Sequence, residues 1–242
     1  MKTASLERVF CALDTTDRAW ALRMATTLGR AAGGVKLGLE YYGAHGPAGV
    51  LAVSELGVKV FLDLKFHDIP NQVAGAVRSV IESCRPFMLT VHAAGGRAML
   101  KAASEAAAET AARTGAPRPL VVGVTVLTSL DAGDLQSVGQ LGPVTDQVER
   151  LAELAIAAGL DGLVCSAEEA AGLRQHLGSD PVLVVPGIRP AWSGADDQKR
   201  IVTPAEAVRR GASYLVIGRP ITRATDPADA LRRIGSELAE AA

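Results

Sequence analysis

KVFLDLK, residues 59–65, is a segment written for burial: Val60, Phe61, Leu62 and Leu64 dominate it, and charge enters mainly toward its end, at Asp63 and Lys65. A nearly continuous apolar run, rather than strict alternation, marks a parallel strand covered on both faces. Seven further runs of this kind occur: VFCALD (9–14), GVKLGL (34–39), FMLTVHA (87–93), LVVGVTVL (120–127), GLVCSA (162–167), VLVVPGI (182–188) and YLVIGR (214–219). Between them lie Ala-rich amphipathic segments, among them 17–31, 70–84, 97–113, 144–158, 168–177, 204–210 and 227–240. Thr203-Pro204 and Asp226-Pro227 each put a capping residue before a proline at the first helical position. Gly159, Gly178 and Gly211 stand where helices should stop.

Strands alternating with helices imply βαβ units. Eight such repeats in 242 residues predict a single-domain α/β fold, a (β/α)₈ TIM barrel spanning 1–242, since barrels of this type take about 250 residues. The alternative is an open doubly wound sheet, but no GxGxxG follows the first run. The longest irregular stretches, 128–142 and 189–202, both follow strands, on the face where barrels build active sites.

Composition narrows the function classes. The hydrophobic fraction is 48% and the aromatic fraction 4%, so the core is expected from Ala, Val, Leu and Ile. A formal charge of −1 leaves no basic excess for a nucleic-acid backbone or an anionic membrane. Cys11, Cys84 and Cys165 are odd in number and far apart, which argues against a disulfide framework or a zinc ribbon. Cys11 and Cys165 sit in apolar runs and are expected as small core residues. The N-terminal MKTASLERVF has no apolar signal core, and no uncharged apolar run approaches the length of a membrane helix. A soluble, reduced, cytoplasmic protein is expected.

Polar residues gather at the strand C-termini: Asp14, Lys36 within the second strand, Asp63, Lys65, Asp68, His92, Thr128, Arg189 and Arg219. A barrel focuses these positions on one mouth. Asp63 and Lys65 are two apart on a strand and so share a side, with Leu62, Leu64 and Phe66 turned to the helix layer. Inward charges are costly unless paired, so one reading is a plain ion pair. The other adds Lys36 and Asp68, a network of alternating lysines and acids that aims an ammonium at developing negative charge. Gly218 and Arg219 suit a phosphate: glycine lets the backbone approach, arginine is a bidentate partner, and barrels often bind phosphate after strands seven and eight. A turn and a surface charge are their plain alternative. His67 alternates outward from Lys65, and His92 faces the mouth without an assigned role. His45 and His176 fall on expected helices.

The motif DLKFHDIPN resembles the DxKxxD signature of the orotidine 5′-monophosphate decarboxylase family. VPGIRP (185–190) and VIGRPI (216–221) resemble its phosphate-end motifs, and ALD, VKLGLE and VTVLTS resemble it in order. The likeness runs from about residue 9 to 235. It implies conversion of orotidine 5′-monophosphate (OMP) to UMP, the last step of de novo pyrimidine synthesis. No cofactor or metal is implied. Lys65 would be the proton donor, with Lys36, Asp63 and Asp68 completing a charged tetrad. Asp14 would bind the ribose, its alternative being a helix N-cap. Thr128 would contact the pyrimidine edge, its alternative being a turn hydroxyl. Arg189 and Gln198 would lie in a phosphate-closing loop, or in a merely solvated one. The resemblance also implies a homodimer with shared active sites, Asp68 entering the neighbour's site; the alternative is an acid capping the helix that begins at Pro70. Gln72 departs from the threonine usual after IPN.

Two rivals remain. A metal-dependent sister family acting on 3-keto-L-gulonate 6-phosphate, or its hexulose-phosphate synthase relative, is expected to place a glutamate where this chain has Lys36. A non-catalytic phosphosugar-binding barrel would not need four alternating charges.

Overall fold

The computed structural model describes residues 6–29, 31–193 and 202–240. Its eight parallel strands are β1 (Val9–Ala12), β2 (Gly34–Gly38), β3 (Val60–Phe66), β4 (Met88–His92), β5 (Leu120–Val124), β6 (Gly162–Val164), β7 (Val182–Val185) and β8 (Tyr214–Ile217). Each pairs with its sequence neighbour, and β8 closes onto β1. Around them run α1 (Arg18–Leu28), α2 (Leu39–Ser54), α3 (Pro70–Cys84), α4 (Gly96–Thr114), α5 (Ala132–Ser137), α6 (Val144–Ala157), α7 (Ala170–Leu177), α8 (Pro204–Arg209), α9 (Arg219–Thr222) and α10 (Pro227–Glu240). The order is the expected (β/α)₈ barrel. Among the described residues no helix is long and apolar enough to cross a membrane.

The expected helix signals act as anticipated. Thr203 accepts the Glu206 amide at 3.2 Å and Asp226 that of Asp229 at 3.0 Å. Gly159, Gly178 and Gly211 follow α6, α7 and α8 with φ of 88°, 77° and 102°, a region that suits glycine. Two details differ from the sequence reading. α2 is a kinked helix, broken at Gly46 (φ 58°) and restarted by Pro47, so its periodicity is blurred. The stretch 128–142 is not wholly irregular: α5 starts there on a reciprocal capping box between Asp131 and Asp134.

Two apolar layers form. The larger lies between sheet and helices and includes Leu62, Leu64, Val91, Met99 and Leu183; Cys11, Cys84 and Cys165 are buried in it as free thiols. The smaller fills the barrel and contains Phe10, Phe61, Met88, Val122, Val184 and Val216. The aliphatic expectation fails for this inner layer. Phe10 meets Phe61, Phe87 and Tyr214 with ring centroids at 6.0, 5.8 and 5.5 Å, and Lys59 lies over the Phe87 ring at 4.7 Å. Four aromatic rings, Phe10, Phe61, Phe87 and Tyr214, thus gather where a wide barrel floor needs large side chains, leaving the upper half for polar groups.

Close approach of β6 to β7 depends on Gly162, where an added Cβ would sit 2.0 Å from the Val182 carbonyl oxygen. Gly162→Ala should destabilise the fold by about 1–3 kcal/mol through overpacking. The check is chemical denaturation: the midpoint should fall with little change in slope.

Candidate active site

Strand positions carry Lys36 and Asp63 into the mouth above the aromatic floor, and an irregular stretch of β3 brings Lys65 beside them. Lys36 stands on β2 beside Gly38, where a Cβ would come within 3.3 Å of the Lys36 Nζ and 3.8 Å of the Asp14 Oδ1. Glycine at 38 therefore keeps the space these groups use. Lys65 donates from Nζ to both oxygens of Asp63 at 2.9 Å. Lys36 Nζ lies 3.7 Å from Asp63 Oδ2 and 3.3 Å from Asp14 Oδ1. The Lys36 and Asp63 side chains are each 13% exposed, Lys65 30% and Asp14 63%. The chain of charges thus runs Asp14–Lys36–Asp63–Lys65, with its two middle members the most buried, and each carboxylate meets at least one ammonium.

The backbone beneath this chain is irregular. Leu62 pairs with Leu89 and Phe66 with Val91, so residues 63–65 lie opposite Thr90 alone. Lys65 takes φ 52°, a conformation that costs a non-glycine residue about 1–3 kcal/mol and persists only where its surroundings hold it. Thr90 is fully buried and bonds to both sides of the bulge: its hydroxyl accepts the Lys65 N–H at 2.8 Å and donates to Asp63 Oδ1 at 3.0 Å. Sequence reading missed Thr90 and Gly38. Thr90 looks there like a strand filler, although its place two residues before His92 put it on the inward face.

Asp14 does not cap α1; Asp17 does, accepting from the Trp20 amide at 2.9 Å. Asp68 is exposed and accepts the Ile69 amide at 2.6 Å, while the N-cap position of α3 is Ile69. No ion pair joins Asp68 to the other three members of the expected tetrad among the described residues of this one chain. Gln72, in the exposed first turn of α3, donates its amide to Ile69 at 3.0 Å. Thr128 is exposed in a turn closed by the Leu130 amide on the Leu127 carbonyl at 2.9 Å.

A cavity of about 210 Å³ beside the charged chain is lined by Asp14, Lys36, Gly187, Arg189, Gly218 and Arg219 among others. Arg219 does not end β8 but opens the short α9, with Gly218 as N-cap residue. Arg189 is 4% exposed, and its amide donates to Val202 at 3.1 Å, pinning the base of the loop after β7. Arg233 of α10 stacks on Trp192 at 4.0 Å and anchors the same loop. Gln198 lies outside the described residues. At the rim, His67 stacks on His92 with centroids 5.3 Å apart. Burial first, then the nearby His67 and Lys65, pushes the His92 imidazole below its ordinary value, and its Nδ1 accepts the Ala94 amide at 3.3 Å.

A wider recess of about 500 Å³ opens at the other end of the barrel, near Arg8, Lys59 and Arg174. There Arg174 is spent on the carbonyls of Gly178, Ser179, Pro181 and Gly211. It lacks the alternating acids and lysines of the mouth, which is the better candidate for chemistry. Among the described residues no group of three or more His, Cys, Asp or Glu side chains is placed to hold a metal ion.

The chain is similar over nearly its full length to several known proteins. A protein from Rhodospirillum rubrum named orotidine 5′-phosphate decarboxylase is 55% identical over 231 residues, covering 95% of this chain and 93% of that one. One of the same name from Moorella thermoacetica is 51% identical over 96% of this chain and 92% of its own length. The crystal structure of orotidine 5′-phosphate decarboxylase from Lactobacillus acidophilus superposes with a TM-score of 0.84 at 34% identity, covering 95% of this chain and 98% of that one. The family model described as "Orotidine 5'-phosphate decarboxylase / HUMPS family" matches residues 7–234. With the barrel fold, the family model over residues 7–234 and these full-length likenesses in agreement, the chain belongs to the orotidine 5′-phosphate decarboxylase / HUMPS family.

Proposed function

We propose that this chain decarboxylates OMP to UMP without a cofactor, as one catalytic unit over residues 1–242, with Lys65 as proton donor. The observation that carries this reading is the Lys65 ammonium held 2.9 Å from both oxygens of Asp63, with Lys36 on its other flank. Loss of CO₂ breaks the bond from C6 to the carboxyl carbon and leaves the electron pair on C6, which has no conjugated sink. An ammonium placed there stabilises the pair and then gives it a proton. The lysine regains its proton from solvent. Asp63 orients that lysine and would lie near the departing carboxylate.

The remaining roles follow the mouth outward. Asp14 would bind the ribose hydroxyls and Thr128 the pyrimidine edge. Gly218 and Arg219 would hold the phosphate, with Arg189 and Gln198 closing over it. What supports the phosphate end is the cavity that Arg189, Gly218 and Arg219 share with Asp14 and Lys36. Metal independence is supported by the ammonium groups 3.3 Å from Asp14 and 2.9 Å from Asp63, which compete with a cation for those carboxylates. Three buried thiols fit a cytoplasmic location. A homodimer fits Asp68 and the large exposed side chains of Leu39 and Ile69, 63% and 64% accessible at the rim.

Three measurements test this. Ultraviolet absorbance should report OMP loss by the purified chain after exhaustive EDTA treatment. Lys65→Ala should abolish it with the fold intact, and near-native turnover would refute the assignment. Activity that needs added Mg²⁺ would favour the metal-dependent branch. Arg219→Ala should lower kcat/KM for OMP far more than for the nucleoside orotidine, because remote phosphate binding energy organises the site; equal losses count against the phosphate role. Finally, Lys65→Ala and Asp68→Ala should each be nearly inactive alone yet recover activity when mixed under subunit exchange. One site of the mixed dimer then carries both defects and the other neither. A demonstrated heterodimer that stays inactive places Asp68 in its own barrel.

A further inference from the structure

We infer that Thr90 is a positioning residue for decarboxylation, its hydroxyl fixing both the backbone of Lys65 and the carboxylate of Asp63. The inference rests on the proposed OMP reaction and on Lys65 as its acid. Three residues of β3, Asp63 to Lys65, lie opposite Thr90 alone, so the bulge leaves the Lys65 amide outside the regular strand ladder. Thr90 Oγ1 takes that amide at 2.8 Å. A hydroxyl has one proton to give, and the Thr90 proton is directed at Asp63 Oδ1, 3.0 Å away. Thr90 has 0% exposure, so water does not stand in for either bond without rearrangement.

Both bonds bear on where the Lys65 Nζ sits. φ rotates the whole residue about its N–Cα bond. Release of Lys65 from 52° toward the extended region near about −120° would swing Cβ and carry the ammonium away from its place. Asp63 Oδ1 receives both the Thr90 hydroxyl and the Lys65 ammonium; without the hydroxyl the carboxylate is free to turn. Thr90 reaches Lys65 by its main chain and Asp63 by its side chain, and so sets the distance between acid and orienting carboxylate. It acts through Lys65 and Asp63, with no contact to the substrate implied.

The test uses the full chain and the variants Thr90→Val, which keeps the shape and removes the hydroxyl, and Thr90→Ser, which keeps the hydroxyl. Steady-state kinetics with OMP are measured well below each variant's own Tm. Thr90→Val should lower kcat by about 10–100-fold, as misplacement of a catalytic group does, while KM changes by less than about threefold. Thr90→Ser should restore most of kcat. A merely structural role would lower Tm and leave kcat per folded molecule unchanged. If Thr90→Val does not fold, Thr90→Cys carries the same test, since a thiol fills the space but hydrogen-bonds weakly. A native kcat in the hydroxyl-free variant, a loss confined to KM, or a serine variant as impaired as valine each overturns the inference. If the native chain decarboxylates OMP and Lys65→Ala does not, such a result removes Thr90 alone. If the native chain is inactive on OMP, the proposed function fails and the inference falls with it.

Discussion

The carboxylate of Asp63 is the contact on which the mouth depends. It accepts from Lys65 of its own strand and from Thr90 of β4, and it faces Lys36 of β2. One side chain therefore ties three adjacent strands at the level where the barrel changes from apolar to polar. Two ammonium groups so close together would repel strongly in a partly dry site. Asp63 between them, with Asp14 beyond Lys36, brings the formal charge of the four to zero. Gly38 stands beside the point where Lys36 and Asp14 meet and leaves it uncrowded.

Below the charges lies the aromatic layer. Phe10 packs edge-on to Phe61 and Tyr214 and is stacked on Phe87. A barrel of eight strands leaves an interior that side chains must fill, and large rings fill it with few residues. Filling one end leaves the other available, and it also lowers the dielectric beneath Asp63 and Lys65. Charged groups held above such a floor act more strongly on a neighbouring charge than the same groups would in water.

Much of this was legible from the order of residues. Eight apolar runs fixed the repeat, and spacing of two placed Asp63 and Lys65 on one side. Proline and glycine signals at Pro204, Pro227, Gly159, Gly178 and Gly211 marked helix ends that the structure reproduces. Other features resisted for physical reasons. The bulge at 63–65 depends on register against β4, which no local pattern encodes, and with it went the work of Thr90. The break at Gly46 divides α2 into two short pieces, neither with a long apolar stripe. α5 was missed although Asp131 and Asp134 carry the spacing of a capping box. Composition suggested an aliphatic core because it counts aromatic rings without saying that four of them meet in one place.

The site also separates by how its groups are held. Lys36, Asp63 and Lys65 stand on strands and are fixed by the barrel, by Thr90 and by one another. Asp14, Asp68 and Thr128 stand beyond strand ends, and all three are exposed. A group on a strand keeps its geometry before a ligand arrives. A rim group has more freedom. The strained φ of Lys65 belongs to the first class. The fold tolerates it because the bulge supplies an amide that Thr90 can take and places an ammonium that Asp63 can hold. Strain, hydrogen bond and ion pair at 63–65 therefore meet at one point of the barrel wall.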